Sequence, residues 1–387
     1  MYMKESDVTT NPRIAIIGGG PGGLMLARLL HVRGVAATVF ERDAHADERP
    51  QGGSLDLHAD TGQRAMLAAG LEREFSAEAR PEDQGDRLYD ADGALLFDRD
   101  GAGDDRPEID RTALRRILLE SLPSGTVRWA SGVEAIRPCA DGRYEVDMGD
   151  LVETFDVVVG ADGAWSRVRS LLSTARPAYE GVTLVELGFD THRHPDVDSL
   201  VGSGKMFAIG DNHILVGQRN GHGHIRGYAG LRMSETAAQA LGRLPAEGIR
   251  AEVLRAFSGW APSLLGLIER GDILAVRPLH ALPIGHRWAT RPGLTILGDA
   301  AHLMSPFGGE GVNLALADAV DLADALLSGE GWPAVERCEA AIAERAIPAA
   351  EGAAEGLQAT VSTGGVASVL DHYQSRVGDL ADWEANR

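Results

Sequence analysis

Three glycines near the start of the sequence have the spacing of a phosphate-binding turn. Gly18, Gly20 and Gly23 follow a continuously apolar run, residues 14–17, and precede a segment of helical composition, residues 24–30. In such a turn the first glycine permits a sharp bend, the second lets the backbone approach a pyrophosphate, and the third lets the helix pack close to the strand. Free N–H groups at the helix N-terminus attract the anion. The pattern therefore predicts a dinucleotide site.

An acidic residue supports this prediction. Residues 35–40 have the pattern of a second strand, and Glu41 and Arg42 follow it. A carboxylate about 20 positions after the glycines, at a strand end, suits the 2′-OH of an adenosine ribose. The alternative is a glycine-rich turn without a ligand. The order of strand, glycines, helix, strand and acid favours the ligand.

Two later strands are also followed by carboxylates. Asp162 comes directly after a buried strand at residues 155–160, and Gly298 and Asp299 come after another at residues 294–297. Acidic groups at the carboxyl edge of a parallel sheet favour a ligand there. A glycine-rich loop, residues 306–311, then leads into a helix whose N-terminus can hold an anion.

Two further segments have open interpretations. Gly52 and Gly53 could let the backbone approach a flat ligand, or could belong to an ordinary loop. An amphipathic helix at residues 109–119, with Asp110 as its candidate cap, carries Arg111 and Arg115 on one face. These arginines form either a solvated basic face or a cofactor contact.

Length and composition narrow the class of protein. The 387 residues can bury a large core, and 44% of them are hydrophobic. Only two cysteines occur, which excludes a disulfide framework and favours a reducing cytoplasm. The net charge of −20 would repel nucleic acids and anionic membranes. The polar first residues lack a signal core, so export is not expected.

The pattern changes between residues 176 and 283, where alternating runs are broken by Gly and Asn. These runs predict a largely antiparallel sheet, separate from the nucleotide unit. His224, Arg226 and Tyr228 fall on one face of one strand. This face is either a ligand surface or the exposed polar side of a half-buried sheet. Residues 340–357 and 365–385 have the pattern of C-terminal helices.

The motifs together resemble the FAD-dependent aromatic hydroxylases, the 4-hydroxybenzoate hydroxylase-like group of flavoprotein monooxygenases. The motifs that support this resemblance are residues 18–23 with Glu41 and Arg42, the Asp162-Gly163 pair, and residues 298–306. Within the group, residues 16–23, 52–58, 106–119 and 298–313 are most similar to the tetracycline-inactivating monooxygenases.

The resemblance implies an α/β fold: a Rossmann-like FAD-binding domain of the glutathione reductase type, an inserted, mainly antiparallel substrate domain, and C-terminal helices. We expect a discontinuous FAD-binding domain at residues 12–80, 100–175 and 284–330. Residues 81–99 and 176–283 would form the substrate domain, and residues 331–387 the C-terminal helices.

The resemblance also implies FAD and NADPH as cofactors. Glu41 would contact the adenosine ribose, Asp299 the ribityl chain, Asp56 and Arg111 the flavin, and Arg49 NADPH. In this family NADPH reduces FAD, O2 adds at C4a, and the hydroperoxide transfers one oxygen to an electron-rich carbon, so that the flavin carries the chemistry. The expected cofactor-binding residues are Gly18, Gly20, Gly23, Glu41, Arg42, Arg49, Asp56, Arg111, Arg115, Asp162, Gly298, Asp299, Pro306, Gly309, Gly311, Val312 and Asn313.

The implied substrate is a polycyclic or phenolic small molecule, and the implied role includes tetracycline-type antibiotic inactivation. The expected substrate residues are Glu186, His213, Arg226, Tyr228 and Phe307. Glu186 and His213 stand where tetracycline-inactivating members have Gln and Arg, Arg226 where they have a pocket His, and Ser305 and Glu310 where they have Pro and Gln. A natural-product tailoring hydroxylase or epoxidase therefore remains an alternative.

A flavin-dependent halogenase is a further alternative, but the Trp-x-Trp-x-Ile-Pro segment of halogenases does not occur. From another class, a non-catalytic flavoprotein that sequesters a drug would not need intact flavin motifs. We expect a monomer with no metal site and no macromolecular partner.

Overall fold

The computed structural model describes residues 12–48, 52–101 and 105–385. The strands are β1 Ile14–Ile17, β2 Ala37–Phe40, β3 Ser54–Asp56, β4 Gly85–Asp90, β5 Leu95–Arg99, β6 Glu108–Asp110, β7 Val127–Arg128, β8 Ala135–Pro138, β9 Tyr144–Asp147, β10 Val152–Phe155, β11 Val157–Gly160, β12 Ala178–Asp190, β13 Gly204–Gly210, β14 His213–Arg219, β15 His224–Arg232, β16 Asp272–Ala281 and β17 Leu294–Ile296. The helices are α1 Pro21–Val32, α2 Arg64–Ala68, α3 Glu72–Glu78, α4 Arg111–Glu120, α5 Arg169–Leu172, α6 Pro195–Val201, α7 Glu235–Leu241, α8 Ala246–Ala256, α9 Pro262–Arg270, α10 Asp299–His302, α11 Gly311–Leu327, α12 Trp332–Thr360 and α13 Gly365–Ala385.

A five-stranded parallel sheet, in the order β17-β11-β1-β2-β7, positions the motifs that bind nucleotide in related folds. Its central strand β1 is fully buried, since parallel strands are covered on both faces. Helices α1 and α11 pack together against the sheet, and their apolar side chains form one large core. The α/β fold class and the expected order of strand, turn and helix are confirmed.

One expected strand is two strands in the structure. Residues 155–160 were predicted as a single buried strand, but β10 pairs antiparallel with β9 in a small three-stranded sheet, whereas β11 pairs parallel with β1. The chain changes sheets at Asp156, whose Oδ2 accepts the backbone N–H of Arg13 at 2.7 Å. Asp156 therefore marks a junction between two sheets inside the segment predicted as one strand.

A seven-stranded sheet, in the order β16-β12-β15-β14-β13-β4-β5, is antiparallel except where β13 pairs parallel with β4. The mainly antiparallel character expected for this part of the chain is confirmed. One face packs against α6 to α9 through a second apolar core. A third, smaller core lies on the other face and includes Leu357 and Val361 at the end of α12, with α13 packed against it.

The long helix α12 contains Pro348 and continues through it, and α13 begins at Gly365 as expected. No helix in the described part of the chain is both long and apolar enough to cross a membrane. The division of the chain into domains remains a prediction.

Candidate functional site

The glycine turn between β1 and α1 is shaped by close backbone approaches. A Cβ on Gly18 would lie 2.3 Å from the carbonyl oxygen of Ala161, and a Cβ on Gly23 would lie 2.2 Å from the carbonyl oxygen of Gly18. Gly18 also has φ +109°, a conformation that favours glycine. Gly20 is different, because no atom lies within 4 Å of the position of its Cβ. The turn is therefore closed toward the protein and open at the N-terminus of α1, where an anion can approach.

Glu41 lies at the end of β2 and is 5% exposed. One carboxylate oxygen accepts the N–H of Gly19 at 2.8 Å, and the other accepts the N–H of Asp43 at 3.1 Å. Each oxygen keeps a further lone pair that can accept a hydroxyl. Arg115 is buried beside this carboxylate and donates to the carbonyl oxygens of Gly19 and Ala46, at 3.2 and 2.6 Å. The interpretation of Arg115 as part of a solvated face is wrong.

Asp162 follows β11 at the same sheet edge. Its Oδ2 accepts the N–H of Arg167 at 2.7 Å, while Oδ1 is buried without a hydrogen-bond partner among the described residues. Burial raises the pKa of Asp162, against the hydrogen bonds that it accepts. An unpartnered buried oxygen is costly unless a ligand or water satisfies it.

Asp299 follows β17 and is exposed at the first residue of α10. It is preceded by Gly298, which has φ +59° and donates its N–H to Asp318 Oδ2 at 3.0 Å. Asp318 is fully buried and also contacts His302 Nε2 at 2.6 Å and an Arg345 nitrogen at 2.8 Å. Burial would raise the pKa of Asp318, but these two cations lower it. The buried charge thus fixes the backbone that presents Asp299.

The glycine-rich loop ends at the N-terminus of α11. Residues 306–308 form a single 3-10 turn, Gly309 is left-handed at φ +70°, and α11 begins at Gly311. The helix follows the predicted glycine-rich loop, residues 306–311, directly. A Cβ on Gly309 would lie 3.5 Å from Asp56 Oδ1, and one on Gly311 would lie 3.9 Å from Asp299 Oδ1. Asp56 and Asp299 thus both lie near the helix N-terminus.

Gly52 and Gly53 meet the seven-stranded sheet. The Tyr228 hydroxyl oxygen lies 2.8 Å from the position that a Cβ on Gly53 would take, and Gln218 Oε1 lies 3.4 Å from it. An Arg226 nitrogen donates to the Gly52 carbonyl oxygen at 3.4 Å. The Gly52–Gly53 backbone is therefore in direct contact with the polar face of β14 and β15, and larger residues would not fit at Gly53.

A buried carboxylate organises this polar face. Glu186 is 1% exposed; its Oε1 lies 3.1 Å from Arg226 and its Oε2 accepts Arg277 Nε at 2.5 Å. Two guanidinium groups on one carboxylate leave the trio with a net positive charge. Burial, and then the Glu186 charge, raise the pKa of Tyr228. Its hydroxyl therefore stays protonated near neutral pH and can donate a hydrogen bond.

A second buried carboxylate lies at the edge of this region. Glu108 on β6 accepts the Ser54 hydroxyl at 2.5 Å and the Gln218 amide at 3.3 Å. Burial raises its pKa to about 6, although Lys205 and Ser54 favour the charged form.

The structure does not bring His213 to the polar face. His213 pairs with Leu231 in the β14–β15 register, whereas Arg226 pairs with Gln218 and Tyr228 with Val216. Because paired residues point to the same side of a sheet, His213 lies on the opposite face. Its ring packs edge-on against Phe257 of the second core, with ring centroids 5.1 Å apart. The expectation that His213 lines the same surface as Arg226 and Tyr228 is wrong.

The remaining predicted residues occupy varied positions. Arg111 is half-buried, with Nε 3.6 Å from the position of a Cβ on Gly52, and Arg42 is exposed beside Gly132. Asn313 is fully buried and joins β3 to the loop, and Val312 is half-buried in the first turn of α11. Phe307 contacts Gly356 of α12, and Pro306 is exposed at the start of the 3-10 turn. Arg49 lies outside the described residues.

Four residues of this region were not predicted from the sequence: His58, Gln218, Arg277 and Asp318. Gln218 donates to Glu108, 110 positions away, and Arg277 donates to Glu186, 91 positions away, so no local pattern marks them. In the described residues, no group of three or more His, Cys, Asp or Glu side chains is arranged to hold a metal ion.

The open glycine turn, the unpartnered Asp162 oxygen and the exposed Asp299 lie along the carboxyl edge of one parallel sheet. Such an edge offers N–H donors and carboxylate acceptors that suit the phosphate and hydroxyl groups of a dinucleotide. This fold and this edge define an FAD-binding protein.

The comparison with known families agrees. The chain belongs to the FAD binding domain family, whose model matches residues 12–351. It is 33% identical over 380 residues to monooxygenase asqM of Emericella nidulans, covering 84% of this chain and 85% of that protein. It is 34% identical over 370 residues to monooxygenase penA of Penicillium thymicola, covering 82% and 85%. It is thus an FAD-dependent monooxygenase of the aromatic hydroxylase family.

Solved structures share the fold. Klebsiella pneumoniae HpxO complexed with FAD and uric acid superposes with a TM-score of 0.78 at 20% identity, covering 96% of this chain and 94% of that chain. Tetracycline destructase Tet(51) superposes with a TM-score of 0.71 at 20% identity, covering 95% and 96%. The expected likeness to the 4-hydroxybenzoate hydroxylase-like group is confirmed.

Proposed function

We propose that the protein uses NADPH and O2 to add one oxygen atom to an electron-rich, phenolic or polycyclic small molecule, as a tailoring hydroxylase or epoxidase of natural products. The observation that carries this proposal is the contact of Gly52–Gly53 with Tyr228 and Arg226. It joins the segment expected beside the flavin ring to a polar surface suited to a substrate.

The residues at the sheet edge would hold FAD in an extended form. The N-terminus of α1 faces the pyrophosphate, Glu41 accepts ribose hydroxyls, and Asp299 accepts hydroxyls of the ribityl chain. The N-terminus of α11, where the first N–H groups have no intrahelical partner, would stabilise negative charge on the flavin ring. When bound, FAD supplies electron transfer from NADPH and the activation of O2.

The polar face would orient the substrate. Arg226 and Arg277 provide donors and net positive charge around Glu186, and the protonated Tyr228 hydroxyl provides a neutral donor. These groups would donate hydrogen bonds to a phenol or enol oxygen of the substrate. The reactive carbon of the substrate would then be held near Gly52 and Gly53. Phe307, which packs with the third core, would add an apolar contact.

The named relatives support this substrate class. Among them are 3-amino-4-hydroxybenzoate 2-monooxygenase PtnB3 of Streptomyces platensis, at 31% identity, and a zeaxanthin epoxidase of Oryza sativa, at 28% identity. Tetracycline inactivation is the second candidate, because Tet(51) and Tet(55) share the fold. Its weakness is the pocket, where Glu186 is neutralised by Arg226 and Arg277 instead of being a Gln.

The test is a compound screen with FAD-loaded protein. NADPH oxidation and product mass are recorded for phenols, polycyclic aromatics, carotenoids and tetracyclines. A phenol or polycycle that stimulates NADPH oxidation and gains one oxygen atom supports the proposal. A gain of oxygen on tetracyclines alone would favour the second candidate. Tight binding without NADPH oxidation or oxygen gain would indicate a sequestering protein.

A further inference from the structure

Two segments expected beside the flavin ring are joined by the buried amide of Asn313. Its Oδ1 accepts the backbone N–H of His58 at 3.0 Å, and its Nδ2 donates to the carbonyl oxygen of Asp56 at 2.9 Å. The same Nδ2 lies 3.5 Å from the carbonyl oxygen of Gly309. The end of β3 and the first turn of α11 are therefore linked through neutral hydrogen bonds.

The His58 side chain links the same two segments by charge. Its Nε2 lies 3.4 Å from Asp56 Oδ2, and its Nδ1 lies 3.5 Å from Glu310 Oε2, while the side chain is 17% exposed. Both ring nitrogens face carboxylates, and only the doubly protonated ring can donate to both. The geometry thus favours an imidazolium that bridges β3 and the residue preceding α11.

Most of the charged groups around this bridge are negative. Asp56, Glu310 and Asp299 all lie near the N-terminus of α11. The Lys205 charge acts on Asp56 from β13, and Glu108 lies opposite Asp56 on β6. Without a positive charge at His58, Asp56 and Glu310 would repel one another, and only the neutral hydrogen bonds of Asn313 would hold the loop at residues 306–311 to β3.

We propose that His58 is a positioning residue: its charged ring holds the loop at residues 306–311 against β3, so that the two segments together keep one fixed surface toward the flavin ring. This inference rests on the proposed function, because it assumes that the flavin ring binds against the surface that these two segments form. His58 itself needs no contact with the cofactor.

The bridge has a defined pH range. Hydrogen bonds to Asp56 and then Glu310, which outweigh burial, raise the pKa of His58 to about 9. A raised histidine pKa means that the folded state binds the proton more tightly. The bridge therefore stabilises the folded state fully below pH 6.5, the ordinary pKa of histidine. This stabilisation is lost as pH rises through about 9.

The experiment measures the dissociation constant of oxidised FAD from the protein between pH 6 and 10, by flavin fluorescence. We compare the unaltered protein with His58→Gln and Glu310→Gln, and use His213→Gln as the control, since His213 lies on the far face of the seven-stranded sheet. Thermal unfolding of the FAD-free proteins at each pH is the second readout. Neither readout depends on turnover.

We expect His58→Gln to bind FAD about fivefold more weakly below pH 7 and to approach the unaltered protein at pH 10. Glu310→Gln keeps one carboxylate on His58, so its affinity should begin to fall at a lower pH than that of the unaltered protein. His213→Gln should follow the unaltered curve throughout.

If the FAD dissociation constants of the unaltered protein and His58→Gln change with pH in the same way, the proposal is overturned. The proposed function would stand in that case, because both proteins bind FAD. If His58→Gln fails to fold, the curve of Glu310→Gln decides, and an unshifted curve overturns the proposal. Failure of the unaltered protein to bind FAD would instead overturn the proposed function.

Discussion

In the glycine turn of the five-stranded sheet the backbone leaves no room for side chains at Gly18 and Gly23, whereas on the seven-stranded sheet the polar face is assembled from side chains. Gly18 and Gly23 are fixed by carbonyl oxygens within 2.3 Å of where a Cβ would lie. Glu186, Arg226 and Arg277 come from three neighbouring strands and meet only through pairing. Gly18 and Gly23 therefore should not tolerate a side chain, whereas the polar face should tolerate substitutions that change its ligand and keep the fold.

The largest effect is expected at the glycine turn. Gly18→Ala places a methyl group 2.3 Å from the Ala161 carbonyl oxygen, at φ +109°. Collision and backbone strain should together lower the free energy of unfolding by about 3 kcal/mol or more. Little folded, FAD-loaded protein should be recovered, as measured by thermal unfolding and the flavin to protein ratio.

Gly20→Ala is the matched control, because Gly20 has φ −80° and open space around its Cβ. It should fold with unchanged thermal stability yet bind FAD more weakly, since the methyl group points toward the pyrophosphate space. A Gly18→Ala protein that unfolds at the temperature of the unaltered one would contradict this distinction.

The next effect separates the two faces of the seven-stranded sheet. Arg226→Ala removes a charged donor from the polar face, and hydrogen bonds to charged groups are worth roughly 1.5–3 kcal/mol. We expect KM for the substrate identified by the screen to rise by about ten- to a hundredfold, with FAD affinity unchanged. His213→Ala, on the opposite face, should leave KM unaltered. Equal effects of the two substitutions would show that the polar face does not bind the substrate.

A smaller effect is expected at the exposed end of β17. Asp299→Ala should weaken FAD binding by about tenfold, because it removes a charged acceptor for ribityl hydroxyls. Asp299 is exposed, so thermal unfolding of the FAD-free protein should not change. Asp299→Asn keeps one acceptor and should give an intermediate affinity. Titration of FAD into each protein measures the difference, and unchanged affinity in Asp299→Ala would count against the assignment.

The contrast between the regions also explains what the sequence could reveal. The turn at Gly18 to Gly23 is a local event, so glycine spacing and the acid at Glu41 predicted its geometry. The glycine-rich loop at residues 306–311 likewise leads into a helix, and α11 begins at Gly311. Local sequence patterns therefore predict the backbone geometry at the carboxyl edge of the five-stranded sheet.

The side-chain clusters form through strand pairing, which no local sequence pattern reveals. Alternation placed Arg226 and Tyr228 on one face, but only the strand register showed that His213 faces the other core. Asp110 precedes α4 as expected, yet its carboxylate accepts the Gly221 N–H at 3.1 Å and does not cap the helix. His58 lay within a recognised segment, but its partner Glu310 is 252 positions away.

The smallest effect is expected at Gly311. It is the first residue of α11, and only Asp299 Oδ1, at 3.9 Å, lies within 4 Å of its Cβ position. Gly311→Val should therefore fold, whereas a side chain at Gly309 would also meet the cost of φ +70°. The added valine would hold the flavin ring away from the helix N-terminus, which stabilises an anion by roughly 0.3–2 kcal/mol.

We therefore expect Gly311→Val to lower the flavin reduction potential, to slow reduction by NADPH, and to lose more NADPH as hydrogen peroxide because the displaced ring no longer faces the substrate. Gly352→Val is the control, since Gly352 is also helical and has open space around it. Potential and peroxide yield per NADPH are measured in FAD-loaded protein. Values equal to those of Gly352→Val would place the flavin ring elsewhere, because a ring held at the N-terminus of α11 must respond to a side chain at its first residue.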